Sequence, residues 1–140
     1  MRNDAREAAL NVIFAQQFNT DCIDVLKKNV FKRLKLERED DIIFACDLIA
    51  MVEDHREKLI TAIEDACHHY KENRINPTDK SILLIAMAEI KYFDDIPPVV
   101  SVAEATNLAR KYSTEKSADF VNGVLSGVIN AKNGEEDENP

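Results

Sequence analysis

The chain is poor in glycine, proline and cysteine, and it has no apolar segment long enough to cross a membrane. Three glycines and four prolines occur among 140 residues, of which 45% are apolar, and this composition favours helices. The three cysteines are an odd number without tight spacing, and no apolar signal segment is found near the N-terminus. These features predict one domain in the reducing cytoplasm.

Motifs for phosphate binding and for catalysis are also missing from the sequence. There is no G-x-G-x-x-G and no P-loop. The string Cys67-His68-His69 has metal-ligand side chains, but adjacent helical positions diverge by about 100°, so the two histidines cannot easily share an ion. Glu89 lies within an apolar segment and is interpreted as a buried carboxylate satisfied by backbone donors or an arginine. We predict no catalytic residue, no cofactor and no metal site.

The charge of the chain is negative. With 26 acidic and 18 basic residues the net charge is −8, which argues against wholesale electrostatic binding to nucleic acid. Four of the acids lie in the last eight residues, Asn133 to Pro140, where no apolar residue occurs. We predict that this segment is a disordered acidic tail and that residues 1–132 form a single helical domain.

The longest apolar run, Ile82 to Ala88, marks the helix around which the others should pack. A helix that is apolar on every side belongs in the middle of a domain. Asn76-Pro77-Thr78-Asp79 signals its start, and two aspartates and two prolines after Phe93 signal its end. The predicted helix, Thr78 to Phe93, spans about 24 Å. We predict an all-α fold, a compact bundle of about six or seven helices around this central one.

Apolar periodicity predicts the helices that surround this centre. It favours one helix from Asp4 to Phe18 and a second from about Ile23 to Leu34. From about Asp40 to Tyr70, either one long helix or two helices that meet near Glu53 to Arg56 would fit.

The last two helices carry predicted start signals. Ser101 and Glu104 form a capping box before a helix that begins at Val102, and Ser117 can cap the final helix. Gly123 and Gly127 share a face of that final helix. Because each mid-helix glycine costs up to about 1 kcal/mol, the pair suggests that another backbone approaches closely.

Several strings in the second half of the chain resemble a known family. They are Ile96-Pro97, Glu104-Ala105, Leu108-Ala109-Arg110 and Phe120-Val121-Asn122-Gly123-Val124-Leu125. The first helix adds Arg6-Glu7-Ala8-Ala9 and Phe14, where the family usually has tyrosine. From about Arg6 to Ile129 the chain resembles the NusB family of bacterial transcription antitermination factors. Two departures are Asn3-Asp4 in place of a denser arginine cluster, and Lys116 in place of a frequent aspartate.

The resemblance implies a cytoplasmic, all-helical, RNA-binding protein without catalysis. Its expected partners are boxA-like single-stranded RNA, a small-subunit ribosomal protein acting as a Nus factor, and the transcription elongation complex. No membrane association is expected, and a homodimer is possible.

The candidate RNA-binding residues combine a few cations with aromatic rings, which can suffice for single-stranded RNA. The resemblance favours Arg6, Phe14 and Tyr112 most. The full set is Arg2, Arg6, Phe14, Arg110, Lys111, Tyr112 and Lys116.

The candidate partner-binding residues lie at the start of the central helix. The resemblance places a partner-contacting carboxylate at Asp79, and Lys80, Leu83 and Leu84 follow within two turns. For the two leucines, plain core is the alternative. Two other functions are kept open: a helical protein–protein interaction module that is indifferent to RNA, and a NusB-like appendage related to rRNA methyltransferases.

Overall fold

The computed structural model describes residues 2–67 and 74–138, with side chains as far as Ala131. Within this part of the chain there are six helices and no strand. They are α1 (Arg2–Gln16), α2 (Ile23–Arg33), α3 (Glu39–Cys67), α4 (Pro77–Tyr92), α5 (Pro98–Tyr112) and α6 (Glu115–Glu138). The predicted all-α fold is confirmed. None of the described helices is both long and apolar enough to span a membrane.

Helix α4 is the centre of the bundle, as its sequence predicts. The Asn76 side chain accepts a hydrogen bond from the Asp79 backbone N–H at 2.8 Å, and Pro77 occupies the first turn. All ten residues from Ser81 to Ile90 are buried, and α1, α3, α5 and α6 pack around them. The uniform apolar character of this helix therefore has a structural cause, because neighbours cover every side.

Helix α3 resolves the alternative left open between Asp40 and Tyr70. Its helical backbone is interrupted at His55, whose φ of −123° and ψ of 21° are not helical, so two helical segments meet there, as the second alternative describes. The kink falls inside the Glu53 to Arg56 segment. The His55 ring stacks on Tyr92 of α4 with centroids 4.2 Å apart, so the kink is packed against the central helix.

Helix α2 ends in a Schellman motif, although the sequence lacks the glycine that usually marks such a helix end. The Leu36 N–H donates to the Phe31 carbonyl and the Lys35 N–H to the Lys32 carbonyl, which is the hydrogen-bond pattern of this helix end. Lys35 has φ of 56°, a left-handed conformation that glycine usually takes. A lysine therefore stands where glycine would be less strained.

Two predicted helix starts are wrong. Helix α5 begins at Pro98 rather than Val102, so Ser101 lies inside the helix and is buried, and the predicted capping box does not form. Helix α6 begins at Glu115, and its cap is Thr114, whose hydroxyl accepts from the Ser117 N–H at 3.0 Å. The competing signals were Pro98, which suits a first turn, and a second hydroxyl three residues before Ser117.

The close approach predicted at Gly123 and Gly127 is also wrong. Both residues lie on the exposed face of α6, and a Cβ atom added at either would meet no other heavy atom within 4 Å. Shared helical spacing places two residues on one face, but it does not say whether that face is buried.

Helix α6 continues to Glu138, over most of the segment for which the sequence predicts a disordered tail. The side chains of that segment, as well as Asn139 and Pro140, lie outside the described residues, and disorder of the tail stays a prediction.

Candidate nucleic-acid interface

Arg6, which was predicted to bind RNA, is buried in the structure. Its side chain is 6% exposed, and its Nε lies 3.1 and 3.0 Å from the two carboxylate oxygens of Glu89, which is 1% exposed. A second guanidinium nitrogen donates to Asn3 at 2.9 Å. A buried carboxylate requires a charged partner, and Arg6 supplies it. Arg6 is therefore part of the core. Of the two partners predicted for Glu89, backbone donors or an arginine, the structure shows the arginine.

Arg2 lies at the exposed start of α1 in acidic surroundings. Its guanidinium lies 3.5 Å from Asp95 and 4.8 Å from the centre of the Phe44 ring. It also lines a cavity of about 440 Å³, whose other lining residues are Arg38, Asp40, Asp41, Ile43, Phe44 and Asp47. Arg2 and Phe14 are about 18 Å apart along the helix axis. The predicted RNA-binding residues are therefore not one compact cluster.

A groove between α1, α5 and the start of α4 brings Phe14 and Tyr112 together. Its cavity measures about 190 Å³ and is lined by Leu10, Asn11, Phe14, Thr78 and Tyr112. Both rings are 37% exposed, so each offers surface to a ligand. Phe18, which is not in the predicted set, is 66% exposed, and its ring centroid lies 5.2 Å from that of Phe14. Exposed rings of this kind are typical of surfaces on which bases stack.

A hydrogen-bond network joins the groove to its nearest cations. Lys111 donates to a carboxylate oxygen of Glu7 at 2.7 Å, and the Tyr112 hydroxyl donates to the same oxygen. The Asn11 amide donates to the Tyr112 hydroxyl at 3.3 Å and accepts from Arg33 at 3.1 Å. Asn11 and Arg33 were not among the predicted site residues. The one available signal was that Glu7 and Asn11 are four residues apart, on one face of α1.

The contacts within this network shift the pKa values of Glu7, Lys111 and Tyr112. Partial burial acts to raise the pKa of Glu7, but the hydrogen bonds from Lys111 and Tyr112 and the charge of Lys111 outweigh it, and the pKa lies below its ordinary value. The pKa of Tyr112 is raised by burial and by its hydrogen bond to Glu7. The pKa of Lys111 is raised by Glu7. Glu7 is therefore ionised at neutral pH and already paired with Lys111.

The turn between α5 and α6 carries two further predicted cations. Arg110 donates to Glu115 at 2.8 Å in an exposed pair, and Lys116 is exposed on the first turn of α6. Because exposed ion pairs contribute little, Glu115 holds Arg110 only weakly.

The predicted partner-binding set is corrected in part. Leu83 and Leu84 are completely buried in the core, so neither can be offered to a partner; the plain-core alternative describes them. Asp79 is 4% exposed and accepts from the Asn76 amide at 3.0 Å. Burial raises the pKa of Asp79, and hydrogen bonding from Ser117 and Asn76 opposes the shift. Lys80 is partly exposed.

Metal-ligand side chains do not cluster in the described part of the chain, where no group of three or more could hold an ion. Cys67 is buried, which raises the pKa of its thiol and disfavours the thiolate that a metal needs. His68 and His69 lie outside the described residues.

Comparison with known proteins places this fold in a family. The sequence model of the NusB family matches residues 3–130. The transcription antitermination protein NusB of Natranaerobius thermophilus is 35% identical over 134 residues, which cover 94% of this chain and 96% of the relative. That of Clostridium novyi is 34% identical over 131 residues and covers 93% and 98%.

Solved structures agree with the sequence relatives. A crystal structure of the antitermination factors NusB and NusE in complex with dsRNA matches with a TM-score of 0.86 and 25% identity, over 93% of this chain and 96% of that one. The solution structure of NusB from Aquifex aeolicus matches with a TM-score of 0.81 and 25% identity, over 96% and 90%. Because the family model and these relatives span nearly the whole chain, this protein belongs to the NusB family.

Proposed function

We propose that this chain is a transcription antitermination factor that binds RNA together with a small-subunit ribosomal protein and catalyses no reaction. The observation that carries the proposal is the match to relatives named transcription antitermination proteins over more than nine-tenths of the chain. A solved relative is bound to NusE and to dsRNA. We extend both kinds of partner to this chain, as a factor that joins the transcription elongation complex in the cytoplasm.

The groove between Phe14 and Tyr112 is the proposed RNA surface. Its exposed rings offer stacking, and Lys111 is joined to Tyr112 through Glu7, while Arg110 and Lys116 are exposed at the turn between α5 and α6. Arg2 adds a cation at the far end of α1. Arg6 is left out because its guanidinium is buried against Glu89. Exposed rings favour unpaired bases, which supports single-stranded RNA as the ligand, of the boxA type that the resemblance implies.

Weak binding by this chain alone follows from its ion pairs. Lys111, Arg110 and Arg2 each lie within 4 Å of a carboxylate of the chain itself. Phosphate groups must compete with those carboxylates, and the net charge of −8 opposes RNA at long range. The ribosomal partner would supply much of the phosphate contact, so RNA and partner should bind cooperatively.

The partner surface is proposed to lie at the exposed start of α4, around Lys80 and next to the Asp79 carboxylate. Leu83 and Leu84 support the core below it rather than contacting the partner.

The test is titration of single-stranded boxA-like RNA, and of an RNA duplex as comparison, with and without the ribosomal partner at several salt concentrations. If Arg2, Lys111 and Lys116 all contact phosphate, log affinity against log salt should have a slope of about −2 for the chain alone, and the partner should steepen it. Phe14→Ala should lower the affinity with little change in slope, because stacking releases no counterions. The matched control is Val99→Ala, which truncates an exposed apolar side chain on α5.

Two outcomes would contradict the proposal. Tight, salt-insensitive binding by the chain alone would exclude a site shared with the partner. Absence of RNA binding even with the partner would favour the RNA-indifferent interaction module. The methyltransferase-appendage alternative has less support, because the reported relatives are antitermination proteins covered over 96% and 98% of their length.

A further inference from the structure

Glu7 places a negative charge beside the groove where RNA is proposed to bind. Its carboxylate is 20% exposed and holds both Lys111 and Tyr112, which lie 104 and 105 residues later in the chain. Those two residues are also one of the cations and one of the rings that the proposed function assigns to RNA. An acceptor at this position needs an explanation, since a phosphate would be repelled by it.

The competition at Lys111 distinguishes between classes of anion. A bare polyanion can offer only further acceptors, so it must displace Glu7 from Lys111 and then lie beside a carboxylate that keeps the Tyr112 hydrogen bond but has lost its cation. A ribonucleotide chain offers phosphate to Lys111 and, next to it, a ribose 2′-hydroxyl that can donate to Glu7. Loss of the Lys111 hydrogen bond to Glu7 is then offset by a new donor, and every charged group keeps a partner.

We propose that Glu7 is a specificity-determining residue that suppresses binding of simple polyanions and favours RNA through its 2′-hydroxyl groups. This role rests on the proposed RNA-binding function. It requires no change of fold, because Lys111 is 61% exposed and can move from carboxylate to phosphate by rotation of its own side chain.

The Arg110–Glu115 pair provides a matched contrast on the same surface. Its distance of 2.8 Å is similar, but Glu115 is 68% exposed, and no other donor to its carboxylate is found among the described residues. Solvent screens such a pair, and it should hold its arginine only weakly. Glu115→Gln therefore removes the same charge as Glu7→Gln, but it releases a cation that was held only weakly.

The experiment compares wild type, Glu7→Gln and Glu115→Gln, each with the ribosomal partner. The probes are single-stranded RNA, DNA of the same sequence and inorganic polyphosphate, at about 50 and about 200 mM salt. For Glu7→Gln we expect tighter polyphosphate and DNA binding, with a slope steeper by about 0.7, and a gain roughly threefold larger at the lower salt. RNA should gain less, so the preference for RNA over DNA falls. Equal thermal stability of the three proteins is checked first.

Three results would overturn the assignment. The first is an unchanged RNA-to-DNA preference in Glu7→Gln. The second is an equal gain for Glu115→Gln, which would reduce the effect to net charge. The third is a uniform loss of all three ligands, which would make Glu7 a positioning residue for Tyr112. If wild type binds no RNA, the proposed function fails separately, and the polyphosphate arm still reports whether Glu7 restrains Lys111.

Discussion

Arg6 and Glu7 are adjacent in the chain but have opposite roles. Successive helical residues diverge by about 100°, so Arg6 faces the core and pairs with Glu89 while Glu7 faces the groove and pairs with Lys111. One ion pair is almost fully desolvated, and in the other the lysine is exposed while the carboxylate is partly buried. Their contributions to stability and to ligand binding should differ accordingly.

Arg6→Ala tests the core role. Removal of one partner from a buried ion pair leaves an uncompensated charge, so we expect the free energy of unfolding to fall by about 3 to 5 kcal/mol, measured by urea denaturation. Arg2→Ala, which truncates an exposed arginine of the same helix, should cost less than about 1 kcal/mol. The double variant Arg6→Met/Glu89→Leu should recover most of the loss. An Arg6→Ala protein of normal stability would show that the buried pair does not support the fold.

At the scale of elements, α4 and α6 each contain a long segment without charged residues, but the two segments differ in burial. In α4 the apolar run is covered on every side by other helices. In α6 the residues between Asp119 and Lys132 carry no charge, yet Asn122, Gly123, Gly127 and Asn130 are exposed. The same helical pattern is therefore compatible with full burial or with one open face.

Gly123→Ala is expected to stabilise the protein, contrary to the overpacking that close approach would cause. The added methyl group meets no neighbour within 4 Å, and alanine is favoured over glycine in a helix by up to about 1 kcal/mol. The melting temperature should rise. Ala103→Gly, at an exposed site in α5, is the reverse control and should lower it by a similar amount. A lower melting temperature for Gly123→Ala would restore a packing role for this glycine.

At the scale of the whole molecule, the net negative charge of the protein opposes RNA binding. Four of the eight excess negative charges lie in the C-terminal segment 133–140, and the rest of the chain has 18 basic and 22 acidic residues, or −4. The net charge of the domain therefore weakly repels RNA from the proposed RNA surface.

Deletion of residues 133–140 should leave the melting temperature unchanged, because the segment contains no apolar residue that could add to the core. It should strengthen RNA binding slightly at low salt, since four negative charges are removed. The gain should fade above about 0.1 M salt, where the screening length is about 10 Å. A clear drop in melting temperature would instead identify the segment as a docked part of the fold.

The sequence by itself determined the all-α class and the central helix, and one of its two alternatives for α3 placed a break between Glu53 and Arg56, where His55 interrupts the helix. Its signals for these are local: apolar periodicity, the Asn76 cap and the prolines act within a few residues. Tertiary structure decided which helix faces are covered, and hence the burial of Leu83 and Leu84 and the exposure of Gly123. It also decided the pairings of Arg6 with Glu89 and of Glu7 with Lys111, which join positions 83 and 104 residues apart. Such contacts arise from packing between helices, and no spacing along the chain encodes them.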